Sequence, residues 1–414
     1  MKTVAIIAEY NPFHNGHSFQ LEMAKKLTSA DYAIALMGGN FLQRGQAAMW
    51  DKYTRAHIAC ENGIDAVFEL PFPYATGSAR DFAYGAVSLL NKIGGIHFLC
   101  FGAETDDVAL LSDIAATICS EPEEYRQILK YHLSQGEPYP LARQKALCSY
   151  KKNAHLEAVL TAPNNILAIE YICALIKTAS SIKPVAVKRD VDYHSLNPKG
   201  QLASASAIRH IINAENFDFS QIENFISEHT LKILEKNYGT DSPLDISDST
   251  QWLQQRLILS DYSDDICDMS TELCNRLKKL SPCVTYQDII DTLKTKNITE
   301  SRISRVLTHL LFNYTEQDRS SFLENGVAFY ANLLALKSAS SEIIKYISEV
   351  SLIPVITKKA DFKTKIKQLS VSGQDMATRM WQLDTMGTDF YNAIIFNRYN
   401  FKKQNDYLTC PKVT

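Results

Sequence analysis

Two histidines three residues apart, His14 and His17, lie in the run Glu9-Tyr10-Asn11-Pro12-Phe13-His14-Asn15-Gly16-His17, directly after the apolar stretch Val4-Ala5-Ile6-Ile7-Ala8. A β-branched run that breaks into Asn-Pro, then His-x-Gly-His, then a helical pattern predicts strand, loop and helix start. Such an arrangement brings two imidazoles and several backbone N–H groups to the positive end of a helix, where phosphates are held. The chemistry it suits is displacement at phosphorus. Negative charge then spreads over the phosphoryl oxygens and the departing pyrophosphate, and positioning and charge stabilisation do most of the work. Gly16 has no Cβ and would let a phosphate approach the backbone. Pro12 stiffens the loop and favours an extended Asn11. The following helix, Ser18–Leu27, would bury Phe19, Met23, Ala24 and Leu27 at helical spacing. Two alternatives are weaker. A metal pair would want His-Glu-x-x-His and an acidic third ligand, and neither follows. Ordinary surface histidines would not explain strand, proline, glycine and paired imidazoles in register.

Further groups of polar residues fall at the ends of other strands. Gly38-Gly39-Asn40-Phe41-Leu42-Gln43-Arg44-Gly45 follows the second strand, and the Arg44 fork suits a carboxylate or phosphate. An exposed loop with one solvated arginine reads as well there. Phe101-Gly102-Ala103-Glu104 ends another strand, which a generic turn would explain equally. Asn164-Asn165 opens the helix Ile166–Thr178, where plain N-capping is the alternative. Lys188-Arg189 closes the Val185–Val187 strand, and Ser204-Ala205-Ser206-Ala207-Ile208-Arg209 opens the next helix. Hydroxyls and free N–H groups at a helix start, with an arginine one turn on, make a second anion cradle. Capping explains one of those serines but not the whole set.

On the three runs EYNPFHNGH, GGNFLQRG and ELPFPYATGSARDFAYGAV, the chain resembles the HxGH nucleotidyltransferase superfamily and, more narrowly, the bacterial tRNA(Met) cytidine acetate ligases. The three runs lie in the first 90 residues, and weaker similarity runs the whole chain. The resemblance implies an ATP-dependent ligase that activates acetate as acetyl-adenylate and acetylates N4 of the wobble cytidine of elongator tRNA(Met). It implies His14 and His17 as catalytic residues. ATP would lie against Ile7, Ala8, Glu9, Tyr10, Asn11, Pro12, Phe13, His14, Asn15, Gly16, His17, Gln20, Gly102, Asn164, Arg189, Ser204, Ser206 and Arg209, with Asn164 favoured over Asn165. Ser204 to Arg209 matches the superfamily's second phosphate motif, whose commoner form carries Thr where Ser206 stands. Asn40, Gln43 and Arg44 would form a substrate-side loop. Mg2+ is expected on the triphosphate, with no dedicated metal ligands in the protein.

Composition sets outer limits. The chain has 414 residues, 46% hydrophobic and 21% charged, which is that of an ordinary globular protein with room for two domains. Formal net charge is −3, so any RNA contact must use a local basic face. Nine cysteines form no C-x-x-C pair, and Cys267, Cys274 and Cys283 lack zinc-knuckle intervals. The expectation is reduced thiols in a cytoplasmic protein. The short apolar start ends at Glu9, unlike a signal peptide, and no run reaches the length of a membrane span.

The elements that must position these residues alternate in the first half. Strands are predicted at Thr3–Ala8, Tyr32–Met37, Ala66–Leu70, Ile96–Phe101 and Pro184–Lys188. Helices are predicted at Asp51–Asn62 and Ser78–Lys92, with a helical insertion from Asp107 to Thr178. This predicts an α/β fold, a Rossmann-like parallel sheet with ligands at the carboxyl ends of its strands. The turn-rich run Asn237–Pro243 suggests a boundary, giving an ATP-binding domain over 1–236 and a mainly helical, tRNA-facing domain over 237–414. In the second part helices are expected near Thr250–Leu259, Ser270–Leu280, Tyr286–Thr295 and Glu300–Leu311, the last opened by a capping box at Asn297 and Glu300. A strand–helix–strand unit follows, from Ala328–Leu336 through Ser340–Val350 to Leu352–Thr357.

Residues 351–414 hold ten Lys or Arg against five Asp, a balance of +5. Lys358, Lys359, Lys363, Lys365, Lys367, Arg398, Lys402 and Lys403, interleaved with Trp381, Phe390, Tyr391, Phe396, Tyr399 and Phe401, suit phosphate contacts and base stacking on RNA. A solvated face over an aromatic core is the alternative. The partners expected are tRNA and acetate, with no membrane and no DNA. Two other functions fit parts of the pattern: an adenylyltransferase acting on a small phosphorylated metabolite, and a non-catalytic, nucleotide-responsive RNA-binding protein.

Overall fold

The computed structural model describes residues 1–189, 203–259, 262–281 and 283–414. Among these residues eight strands form one sheet: β1 (Thr3–Ala8), β2 (Tyr32–Gly38), β3 (Ala66–Leu70), β4 (Phe98–Ala103), β5 (Lys183–Lys188), β6 (Ala331–Leu336), β7 (Val355–Ile356) and β8 (Lys412–Val413). The order is β5-β4-β1-β2-β3-β6-β7, with β8 also on β6. The ladders from β5 to β3 are all parallel. Strand order runs outward in both directions from β1, so the sheet has a topological switch point between β1 and β4, where a crevice opens at the carboxyl ends.

The apolar runs are continuous because the sheet is covered on both faces. Side chains alternate between two cores. Ala5, Ile34, Leu36 and Phe68 pack with the helices Ala79–Ile93 and Pro163–Lys177. Val4, Ile6, Ala33, Ala35 and Met37 pack with the helices Asn15–Thr28, Lys52–Glu61 and Ala205–Ile212. Strand starts and ends agree with the sequence reading to within two residues from β1 to β5. Helix Asn15–Thr28 differs in its face. Leu21, Ala24 and Thr28 are buried, whereas Phe19 and Leu27 are 44% and 54% exposed. The helix begins at Asn15, which turns Leu21 and Ala24 towards the sheet.

The second half departs most from expectation. The strand–helix–strand unit forms, but it does not sit in a separate helical domain. β6 pairs antiparallel with β3, with a register shift between Val67 and Phe68, and continues the sheet of the first half. The expected boundary at 236/237 is therefore not a boundary of the sheet. The helix Glu300–Phe312 is capped by Thr299, whose side chain accepts from Arg302 N, and not by Asn297. A helix of 29 residues, Val371–Tyr399, was not legible in the sequence pattern. Among the described residues no helix is long and apolar enough to cross a membrane.

Candidate active site

The crevice is built from the end of β1 upward. Tyr10 is left-handed, with φ 49°, and the Asn11–Pro12 peptide is cis. Tyr10 is buried and its ring packs edge-on against His17, with centroids 5.0 Å apart. Helix Asn15–Thr28 then starts in an unusual capping box. His14 is the N-cap, its Nδ1 accepting from Gly16 N at 3.0 Å, and His17 Nδ1 accepts from His14 N at 3.2 Å. Imidazoles thus play the parts that Ser/Thr and Glu/Gln take in the common form. Gly16 is required by this box: a Cβ there would lie 2.8 Å from His14 Cε1. Its lack of a side chain makes room for an imidazole, where the sequence reading had reserved the space for a phosphate.

With both Nδ1 atoms accepting from backbone, the proton of each neutral ring is assigned to Nε2. Neutrality follows from the surroundings. Burial, aided by Arg189 and Arg209, pushes His14 down to about 3. Burial, then His14 and Arg189, pushes His17 well below its usual range. At neutral pH the pair is two N–H donors in parallel, ring centroids 3.9 Å apart, and the fixed positive charge comes from arginine.

Those arginines close the crevice from β5 and the helix Ala205–Ile212. Arg189 Nη1 donates to Asn164 Oδ1 at 3.1 Å. Arg209 Nη1 donates to Asn11 O at 2.8 Å and Nη2 to Ser206 Oγ at 3.0 Å, so Ser206 orients the guanidinium and does not line the crevice itself. Ser204 caps its helix, accepting from Ala207 N at 3.0 Å. Asn164 and Asn165 divide their work. Asn165 is buried and accepts from Glu104 N and Thr105 N, while Asn164 lines the crevice and donates to Glu104 Oε1 at 2.7 Å.

The resulting cleft encloses about 1010 Å³ including its open mouth. Ile7, Ala8, Glu9, Tyr10, Asn11, His14, His17, Gln20, Gly102, Asn164, Arg189, Ser204 and Arg209 line it, with Gln43 and Arg44 from the loop after β2. Gly16 and the half-exposed Phe19 line an adjoining compartment that shares His14, Gln20, Gly102, Arg189 and Ser204. Pro12, Phe13 and Asn15 are outside both: Phe13 is core, and Asn15 Nδ2 donates to Asn224 O. Asn40 is also a structural residue. It is buried, its Oδ1 accepting from Lys52 N at 2.8 Å and its carbonyl from Ala48 N.

Sequence reasoning missed Arg55. This guanidinium is 1% exposed and donates to Trp50 O, Glu9 O, Gly38 O and Gly39 O. It ties the ends of β1 and β2 together beneath the cleft. Nothing in an amphipathic helix pattern marks one arginine as inward-facing. The basic tail residues scatter. Lys358, Lys363, Lys367 and Lys402 are exposed and Lys365 half-buried. Lys359 is 3% exposed and pairs with Asp406, Lys403 bridges Asp51 and Asp241, and Arg398 pairs with Asp248. Trp381 and Tyr391 are buried core, Trp381 stacked on Phe362, and so are not available for base stacking.

This geometry recurs in known proteins. Residues 1–406 match the family model described as HIGH Nucleotidyl Transferase. The tRNA(Met) cytidine acetate ligase of Caldanaerobacter subterraneus subsp. tengcongensis is 37% identical over 400 residues, covering 96% of each chain. That of Acetivibrio thermocellus is 34% identical over 418 residues, covering 99% of each. The crystal structure of Thermotoga maritima TmcAL bound with alpha-thio ATP superposes with a TM-score of 0.91 at 28% identity, covering 100% of this chain and 99% of that one. The apo form superposes at 0.93. The chain belongs to the tRNA(Met) cytidine acetate ligase family, within the HIGH nucleotidyl transferases.

Proposed function

We propose that this protein joins acetate to the wobble cytidine of elongator tRNA(Met), using ATP and releasing AMP and pyrophosphate. The observation that carries this is the convergence of two Nε2–H donors, Arg189 and Arg209 on the switch-point crevice of a chain that matches ligases along nearly its whole length. In the first step an acetate oxygen attacks the α-phosphorus and the bond to pyrophosphate breaks. His14 and His17 donate to the phosphoryl oxygens. The starts of helices Asn15–Thr28 and Ala205–Ile212, with Arg189 and Arg209, take up the charge on the leaving group. Donors already fixed by a capping box need no reorganisation as the charge develops. In the second step cytidine N4 attacks the acetyl carbon of the mixed anhydride, the bond to AMP breaks, and the amine loses a proton. Magnesium would ride on the phosphate oxygens of the nucleotide.

Labelled acetate, ATP and tRNA test the proposal. Label on tRNA(Met) cytidine with one pyrophosphate per acetyl group is expected. A dinucleotide product made from another metabolite would instead favour the adenylyltransferase reading, and ATP binding without pyrophosphate would leave only a binding protein.

A further inference from the structure

The acid being activated needs a place of its own beside the α-phosphate, and one corner of the cleft differs from the rest. Asn164, Leu167 and Tyr171 stand at i, i+3 and i+7 on the helix Pro163–Lys177 and lay one stripe along the cleft. The stripe is polar where Asn164 meets Arg189 and turns apolar beyond it. Tyr171 is 3% exposed, its ring 5.8 Å from Phe101 and 6.5 Å from Phe82, and all three line the cleft. Among the described residues its hydroxyl has no hydrogen-bond partner. The residue lines the cleft, so its unengaged hydroxyl is placed to donate to a ligand bound there.

We infer that Tyr171 is the donor of a carboxylate subsite whose walls are Phe82, Phe101 and Leu167. The inference rests on the ligase reading above. It assigns the methyl group of acetate to the aromatic corner and one carboxylate oxygen to the Tyr171 hydroxyl, which leaves the other oxygen to form the bond to phosphorus. Tyr171 keeps its proton throughout: the electron pair for the new bond comes from the acid, and the pair of the broken bond leaves with pyrophosphate. Burial and the nearby Glu9 carboxylate raise Tyr171 above the usual phenol range, so at neutral pH it is a donor only. Glu9 Oε1 accepts from Gln43 N at 2.9 Å, which ties the loop after β2 to the end of β1. Three apolar walls around one hydroxyl suit a very short acid. Each further methylene would meet Leu167 or a ring.

Acid-dependent pyrophosphate release without tRNA reads this directly. Tyr171→Phe should raise KM for acetate tenfold or more, as expected for losing a hydrogen bond to a charged group, with KM for ATP within twofold of wild type. Leu167→Ala should raise kcat/KM for propionate relative to acetate at least fivefold, and it supplies an independent reading should Tyr171→Phe fold poorly. An unchanged acetate KM in Tyr171→Phe, a parallel rise in both KM values, or an unchanged propionate-to-acetate ratio in Leu167→Ala would overturn the subsite. Wild type that releases pyrophosphate with acetate while these variants behave as wild type removes only the subsite. Wild type that releases none with any short acid removes the ligase reading and the subsite together.

Discussion

His14 has two duties, as helix cap and as donor, and an asparagine separates them. Asn at the N-cap can still accept from a backbone N–H in the first turn, so His14→Asn should fold while losing the Nε2–H. Pyrophosphate release should fall about 100-fold or more, the usual cost of removing one preorganised donor. The same residue carries a pH signature. Its folded pKa of about 3 lies below the ordinary 6.5, so between those values the unfolded chain binds the proton and the folded one does not. Stability therefore rises with pH across that window and is complete above about 6.5. Full retention of the buried neutral ring would make this term roughly 5 kcal/mol. Urea midpoints at pH 7 and pH 4.5 should fall further apart in wild type than in His14→Asn, and equal spacing would contradict the assignment. The histidines, Ser204 and Arg209 were legible because their types occur at a spacing that only a helix start explains. Arg55, Lys52 and Tyr171 were not. Each is one polar or aromatic residue on an otherwise ordinary helix, and only tertiary packing decides that it faces inward.

Between residue and molecule stands the loop after β2, which the rest of the chain clamps. Gly45 has φ 69°, and a Cβ there would lie 2.5 Å from Arg305 N in the helix Glu300–Phe312. Ser304 and Thr308 of that helix donate to Gly45 O at 3.1 and 2.7 Å. Gly45→Ala meets both a left-handed backbone and a main-chain clash. It should cost about 2 kcal/mol or more and lower kcat/KM by lifting Gln43 and Arg44, measurable as a drop in melting temperature together with acetate-dependent activity. The carboxyl-terminal strap clamps the other end of the loop. Lys52 donates to Asn332's neighbour Glu69 at 2.8 Å and to Asp406 at 2.8 Å, and Lys359 pairs with Asp406 at 3.1 Å. Asp406→Asn leaves buried Lys52 with Glu69 as its ion-pair partner and takes from buried Lys359 its carboxylate, so roughly 3–5 kcal/mol should be lost; urea unfolding that shifts by less than 1 kcal/mol would rule the strap out as a clamp. Parallel strands were readable here as short apolar runs between turn residues. Helix Val371–Tyr399 was not, because it is buried on several sides, with Ala377, Trp381, Asp384, Tyr391 and Ile394 all inward, and so shows no clean apolar stripe.

At the scale of the molecule, β6 joins β3 and makes the two halves share one sheet, a pairing that no local pattern encodes because strand partners are chosen by tertiary contact. The basic tail must be read against that architecture. Lys359 and Lys403 are spent on internal carboxylates, whereas Lys358, Lys363 and Lys367 project to solvent within one short stretch. We propose that the RNA-facing role belongs to these three, which lie close together in the chain. Phosphate contacts add affinity that falls with salt, by a slope of about 0.7 to 0.9 per contact. Replacing Lys358, Lys363 and Lys367 with Glu should raise KM for tRNA at least tenfold and flatten its salt dependence by about two in the logarithmic slope, as expected for two to three lost contacts. Acetate-dependent pyrophosphate release without tRNA should stay within twofold, because none of the three lines the cleft. Lys359→Met should behave oppositely, losing stability because Asp406 then keeps only Lys52 as its ion-pair partner, before any RNA is added. An unchanged tRNA KM in the triple variant would move the RNA-binding face elsewhere, and a matching loss of pyrophosphate release would mean these lysines support the fold of the cleft and not the docking of RNA.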